Sequence, residues 1–387
     1  MRNDAFFNDL KSWSQRKHRL LGKYLSPFSA KVGSWAKQVY CIDGFAGAAR
    51  YDDGSEGSPM LMARLADTCA NWKKPVTLKI INVEAKKAHY NSLIQVTKSW
   101  TDKGVVTNKF GQFGSLVPEI LKEIGNSPAF FFIDPYGPTK IPFRCLHPIL
   151  TRQIHATEII INFNVQGLRR LADCLHASKG DSTDARAINK IIAHVSEIMG
   201  SDAWKEYFFN NDLPSAERER KLLQQYITNL TKYDYNVVAY PIRATMKSSP
   251  KYFLIYCSRH DDGVILMNRF IREEEDQLLK EATTDSLQPR FDTDDFNESH
   301  QEVNQRRLLL TDKVLEYLQR MEKTTRKSIK RDLIYENFGS FHENDYTAVV
   351  QSLVDKGMLR TGHGRKRFND NEPLTYVSNQ KRGGNGN

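Results

Sequence analysis

A short apolar run that stops at an acid and a glycine turn constrains this chain more than any other feature. Val39-Tyr40-Cys41-Ile42 has the character of a buried strand, and Asp43-Gly44-Phe45-Ala46-Gly47 follows at once. Small residues there let the backbone turn tightly and approach a bound molecule where a Cβ would collide. Ser55-Glu56-Gly57-Ser58-Pro59 then leads into residues 60–66, apolar at helical spacing. Strand, glycine turn and helix open a nucleotide-binding α/β unit. The loop is not GxGxxG, so it fits a nicotinamide dinucleotide poorly.

Later stretches repeat the pattern of an apolar run with a polar end. Residues 76–83 predict a second strand ending at Glu84, placed to accept hydrogen bonds from ribose hydroxyls. Residues 105–110 predict a third, followed by Gly111 and Gln112, whose amide suits an adenine edge as well as it suits a plain loop. Residues 129–133, AFFFI, are wholly apolar, as in the centre of a parallel sheet. Asp134-Pro135-Tyr136-Gly137-Pro138 then makes a stiff polar lip. Residues 158–163, 237–242 and 252–257 complete the predicted strands. Ligands of open parallel sheets bind outside the C-terminal strand ends, and Asp43, Glu84, Gln112 and Asp134 all fall there. An amphipathic helix over residues 6–25 carries Lys17, and Ser26-Pro27 is expected to stop or kink it. Residues 184–232 predict a helical insertion. The expected fold is therefore α/β and Rossmann-like over residues 1–280.

Residues 281–304 turn polar and acidic, the composition of an interdomain linker. Over residues 305–378 three helices and then two strands follow in the order of a winged helix. The predicted hairpin carries Arg360, His363, Arg365, Lys366 and Arg367, as phosphate contact requires; a winged helix used for protein contact is the other reading. Residues 379–387 read as a disordered tail. The net charge of +10 and a pI near 9.2 favour a polyanionic partner, most simply nucleic acid, DNA or RNA. Five cysteines without CxxC spacing read as reduced thiols, with no metal site. A polar N-terminus and the lack of any apolar run near 20 residues predict a cytoplasmic protein with no membrane partner.

Taken in order, IDGFAGAARYDDGSEGSP, FFFIDPYGPTKIPF, EIIINFNVQGLRR and YFLIYCSRHDDGVILMNRFI resemble the three-Cys-motif partner (TcmP) proteins, over about residues 15–280. That family is similar to the class I S-adenosylmethionine-dependent methyltransferases and is named for pairing with a three-cysteine-motif protein. The resemblance implies S-adenosylmethionine as cofactor, with Asp43, Gly44, Phe45, Ala46 and Gly47 as its loop. It also implies Glu84 on the ribose, Gln112 beside the adenine and Lys17 at the methionine end. Asp134-Pro135-Tyr136 is similar to the D/N-P-P-Y/F motif of amino-group methyltransferases, which implies methylation of an exocyclic base amine. The chain has one proline fewer, so its aromatic residue comes a position early. A non-catalytic protein that keeps the fold to bind cofactor and DNA is the alternative, and a methyltransferase of protein or small molecules is a third.

Overall fold

The computed structural model describes residues 3–135, 141–168, 185–208, 213–243, 248–250, 252–284, 293–321 and 323–377. They fall into two compact units, Met1–Val264 and Ile265–Asn387.

The first unit runs α1 (Asn3–Gly33), β1 (Gln38–Asp43), α2 (Ser58–Ala70), β2 (Thr77–Glu84), α3 (Lys87–Asp102), β3 (Val106–Phe110), α4 (Phe113–Ile124), β4 (Ala129–Ile133), α5 (Phe143–Leu150) and β5 (Thr157–Phe163). After it come α6 (Ala185–Met199), α7 (Trp204–Phe208), α8 (Ser215–Thr231), β6 (Asn236–Ile242) and β7 (Tyr252–Ser258), then α9 (Asp261–Thr284), within which the two units divide. The sheet order is β3-β2-β1-β4-β5-β7-β6. Strands β1 to β5 are parallel, and β7 inserts antiparallel between β5 and β6. The order reverses between β1 and β4, the crevice at which open α/β sheets bind ligands.

Burial explains the element types. Every residue of β4 and of β5 is buried, as in the middle of a sheet covered on both faces. Phe131, Ile133, Ile159 and Ile161 pack with Phe113, Val117 and Ile120 of α4 and with Leu146 and Ile149 of α5. Helix α1 buries Leu20, Leu21, Tyr24, Leu25 and Phe28. Of the stop or kink expected at Ser26-Pro27, the stop does not occur, and the helix continues to Gly33. Phe28 and Val32 beyond the proline are also buried, and that packing outweighs the lost backbone hydrogen bond. Beneath it Glu158 accepts from Tyr24 (2.7 Å), Tyr256 (2.9 Å) and Ser258 (3.2 Å). Burial pushes the Glu158 carboxyl up to about 7.

The second unit contains α10 (Thr293–Arg320), β8 (Lys323–Thr325), α11 (Arg326–Glu336), α12 (Glu343–Asp355), β9 (Leu359–Thr361) and β10 (Pro373–Tyr376). Its strands form an antiparallel sheet in the order β8-β10-β9. Thr325 caps α11 by accepting from the Ser328 N–H at 3.0 Å. The division between the units lies earlier than residue 280. Asn268 is fully buried, donates to the Phe341 carbonyl (3.1 Å) and accepts from the Gly339 N–H (2.7 Å), which ties α9 into the second unit. The polar stretch 281–304 is helical to Thr284 and again from Thr293; residues 285–292 lie outside the described residues, as does the tail from 378.

Candidate functional site

The loop after β1 is held by its neighbours. The Gly44 N–H donates to Phe132 of β4 (2.9 Å), the Ala46 N–H to Val83 of β2 (2.9 Å), and the Phe45 N–H to Asp43 Oδ1 (3.0 Å). Gly47 has φ near +64°, where a side chain is strained, and its N–H donates to Glu84 Oε2 at 2.9 Å. The other Glu84 oxygen accepts from the Lys86 N–H at 2.6 Å. Glu84 is therefore a buried acid whose carboxylate joins the β1 loop to the β2 end.

Gly44, Phe45, Glu84 and Gln112 line one cavity of about 590 Å³, with Lys86, His89, Phe113, Arg144, Cys145 and His194. A Cβ on Gly44 would meet the Phe113 ring at 3.0 Å, so the glycine keeps this wall open. Asp43 is not among the lining residues. It is fully buried below the loop, and burial first, then the neighbouring Asp134 and Glu84 charges, raise its carboxyl to about 7 against the opposing hydrogen bonds of Ser58 and Phe45. Asp43 shapes the turn, as do Ala46 and Gly47, and the cavity is left to Gly44 and Phe45.

A second cluster sits at the end of β4. Lys17 Nζ of α1 lies 2.5 Å from Asp134 Oδ2, with side chains only 12% and 20% exposed. Asn162 of β5 donates through Nδ2 to Asp134 Oδ1 at 2.6 Å, and its own buried Oδ1 has no partner among the described residues. The Lys17 ammonium also stands 5.6 Å from the Tyr252 ring centre. Burial, then the Lys17 charge, lowers His18 to about 4, so this imidazole is neutral at neutral pH. Tyr136 lies outside the described residues, and so does Lys140. The pattern reading missed Asn162. An asparagine directly after three isoleucines in EIIINF was its signal.

In the second unit Arg360 lies on β9, and His363, Arg365, Lys366 and Arg367 lie in the turn that follows; all five are exposed. Their backbone is held: Thr361 donates to the Arg365 carbonyl (2.7 Å) and Gln351 of α12 to the Lys366 carbonyl (2.9 Å). Among the described residues no ion pair engages these side chains. Helix α12 itself carries no Lys or Arg. Among the described residues no His, Cys, Asp and Glu group is placed to hold a metal ion, and no helix is long and apolar enough to cross a membrane.

The sequence matches no protein-family model and no curated protein. Its fold is similar to that of solved structures, several of them methyltransferases. Cofactor-bound Rv0187 from MTB is 13% identical with a TM-score of 0.34, covering 67% of this chain and 91% of that one. The O-methyltransferase TomG from Streptomyces achromogenes, in complex with SAM, is 14% identical with a TM-score of 0.33 and coverages of 65% and 90%. An O-methyltransferase from Bacillus cereus, in complex with SAH, is 15% identical with a TM-score of 0.31 and coverages of 62% and 80%. At these identities the likeness is one of fold alone.

Proposed function

We propose that this protein is an S-adenosylmethionine-dependent methyltransferase acting on nucleic acid. One observation carries the reading: the cavity beyond the ends of β1, β2 and β3 pairs the Glu84 carboxylate with the glycine loop and Gln112, and Asp134, with Lys17, follows β4, the strand on the other side of β1. About 590 Å³ lies within the range of small-molecule sites. The wall that Gly44 keeps clear of a Cβ suits a flat or extended ligand against Phe45. The residues fit S-adenosylmethionine: Glu84 for the ribose hydroxyls, Gln112 for the adenine edge, and the backbone of Gly44 and Phe45 for the chain between.

The cofactor brings its own electrophile, a methyl on a sulfonium. What the protein supplies is a held nucleophile and a place for its proton. Asp134 is the group at that end of the sheet fitted to take one.

The second unit supports nucleic acid as the class of acceptor. Its element order, α10-β8-α11-α12-β9-β10, is that of a winged helix, with the exposed cations on the wing. Helix α12 carries no Lys or Arg, and its first-turn acids are neutralised, Glu343 by Arg269 and Lys330 and the buried Asp345 by Arg306 and Arg307, so the reading gives phosphate contact to the wing. A three-cysteine-motif protein is the partner that the family resemblance adds.

Incubation with methyl-labelled S-adenosylmethionine and nucleic acid tests this function. Label in the nucleic acid, lost in Asp134→Ala, is expected. Bound cofactor with no transfer to any nucleic acid contradicts it and leaves the cofactor-binding scaffold.

A further inference from the structure

We infer that the acceptor atom is a hydroxyl oxygen, and in nucleic acid therefore the ribose 2′-hydroxyl of RNA; this rests on the methyltransferase reading above. The juxtaposition that carries it is a lysine ammonium fixed on the carboxylate that must serve the acceptor. Lys17 Nζ lies 2.5 Å from Asp134 Oδ2, and Asn162 Nδ2 lies 2.6 Å from Oδ1.

The two acceptor chemistries differ in the charge that develops. An amine nitrogen that attacks a methyl sulfonium becomes cationic before it sheds a proton. A neighbouring ammonium opposes that charge, more strongly in a half-buried site than in water. A hydroxyl oxygen that attacks as it loses its proton becomes anionic. The same ammonium stabilises it, as fixed donors do where negative charge appears.

The step balances without a further reactant. The hydroxyl O–H bond breaks and its proton passes to the ionised Asp134. The oxygen–methyl bond forms as the carbon–sulfur bond breaks, and the neutral thioether leaves. Lys17 touches the developing oxyanion, and Asn162 is a positioning residue that holds the carboxylate toward it. Internal nucleotides of DNA offer no hydroxyl, whereas every internal nucleotide of RNA offers one.

The experiment uses the full chain with methyl-labelled S-adenosylmethionine and, separately, unfractionated RNA and genomic DNA from a heterologous bacterium. Digestion to nucleosides and mass spectrometry place the methyl. The expected result is methyl on ribose in RNA and none in DNA. Lys17→Met should lower the sugar methylation by about 100-fold or more, with Lys17→Arg recovering part of it. Calorimetry with S-adenosylhomocysteine reads cofactor binding by the unmodified protein separately from methyl transfer. Methyl on a base nitrogen, equal labelling of DNA and RNA, or no labelling by a protein that binds the cofactor product overturns the hydroxyl inference and spares the cofactor assignment. Failure of the unmodified protein to bind the product overturns both.

Discussion

The Lys17 ammonium is bonded to the Asp134 carboxylate at 2.5 Å, joining the first helix to the end of the central strand β4. Two residues 117 positions apart in sequence thus form one unit. Groups that act as a unit give non-additive losses. Lys17→Met and Asp134→Asn should each lower methyl transfer by about 100-fold, and the double variant should be little worse than either alone. Losses that multiply in the double variant would show that the two residues act separately.

Much of the sheet was legible in sequence because β1, β2, β4 and β5 are short runs rich in buried apolar residues, most of them followed by a polar residue. Glu84, Gln112 and the Gly44-Phe45 pair share one cavity, as strand-end position implied. Asp43 did not follow, because its depth below the loop depends on how β1 is flanked by β2 and β4. Nor did the Lys17 pairing with Asp134, since no local pattern says where a helix lysine reaches across a sheet. The passage of α1 through Pro27 was hidden for the same reason: local propensity lost to long-range packing.

Glu84 offers its carboxylate both to the loop, through the Gly47 and Lys86 N–H groups, and to the cavity. Removing a charged acceptor should cost roughly 1.5–3 kcal/mol, about ten- to a hundredfold in cofactor affinity. Titration calorimetry of Glu84→Ala checks this. Unchanged affinity would remove Glu84 from the site.

Glu158 makes stability depend on pH in an unusual direction. Burial raises its folded pKa from 4.5 to about 7. Between those values the folded chain keeps a proton that the unfolded chain has released, so this group's contribution to stability falls as pH rises through that window. The deficit above pH 7 is on the order of 3 kcal/mol. Glu158→Gln keeps the shape and the contact with Tyr24 and Tyr256 but cannot ionise. The stability difference between variant and unmodified protein, followed by urea unfolding, should shift in the variant's favour from pH 4.5 to 7.5. A difference that does not change with pH would contradict the buried-acid account.

On the proposed function, the exposed cations in the turn after β9 should govern the salt dependence of nucleic-acid binding. Each neutralised phosphate contributes a slope near −0.9 on duplex DNA. Replacing Arg365, Lys366 and Arg367 with alanine should therefore reduce the slope's magnitude by up to about 2 to 3, with cofactor affinity unchanged. Fluorescence anisotropy at several salt concentrations measures it. An unaltered slope would reassign the β9–β10 turn to protein contact, with a three-cysteine-motif protein as the partner to test.

The central claim is that the cavity beyond the ends of β1, β2 and β3 holds S-adenosylmethionine. Titration of the full chain with S-adenosylmethionine and S-adenosylhomocysteine in a calorimeter tests it most directly. The account predicts one site per chain for either ligand, with a dissociation constant on the order of micromolar and weaker binding in Glu84→Ala. Absence of binding by the unmodified protein at millimolar ligand would contradict it.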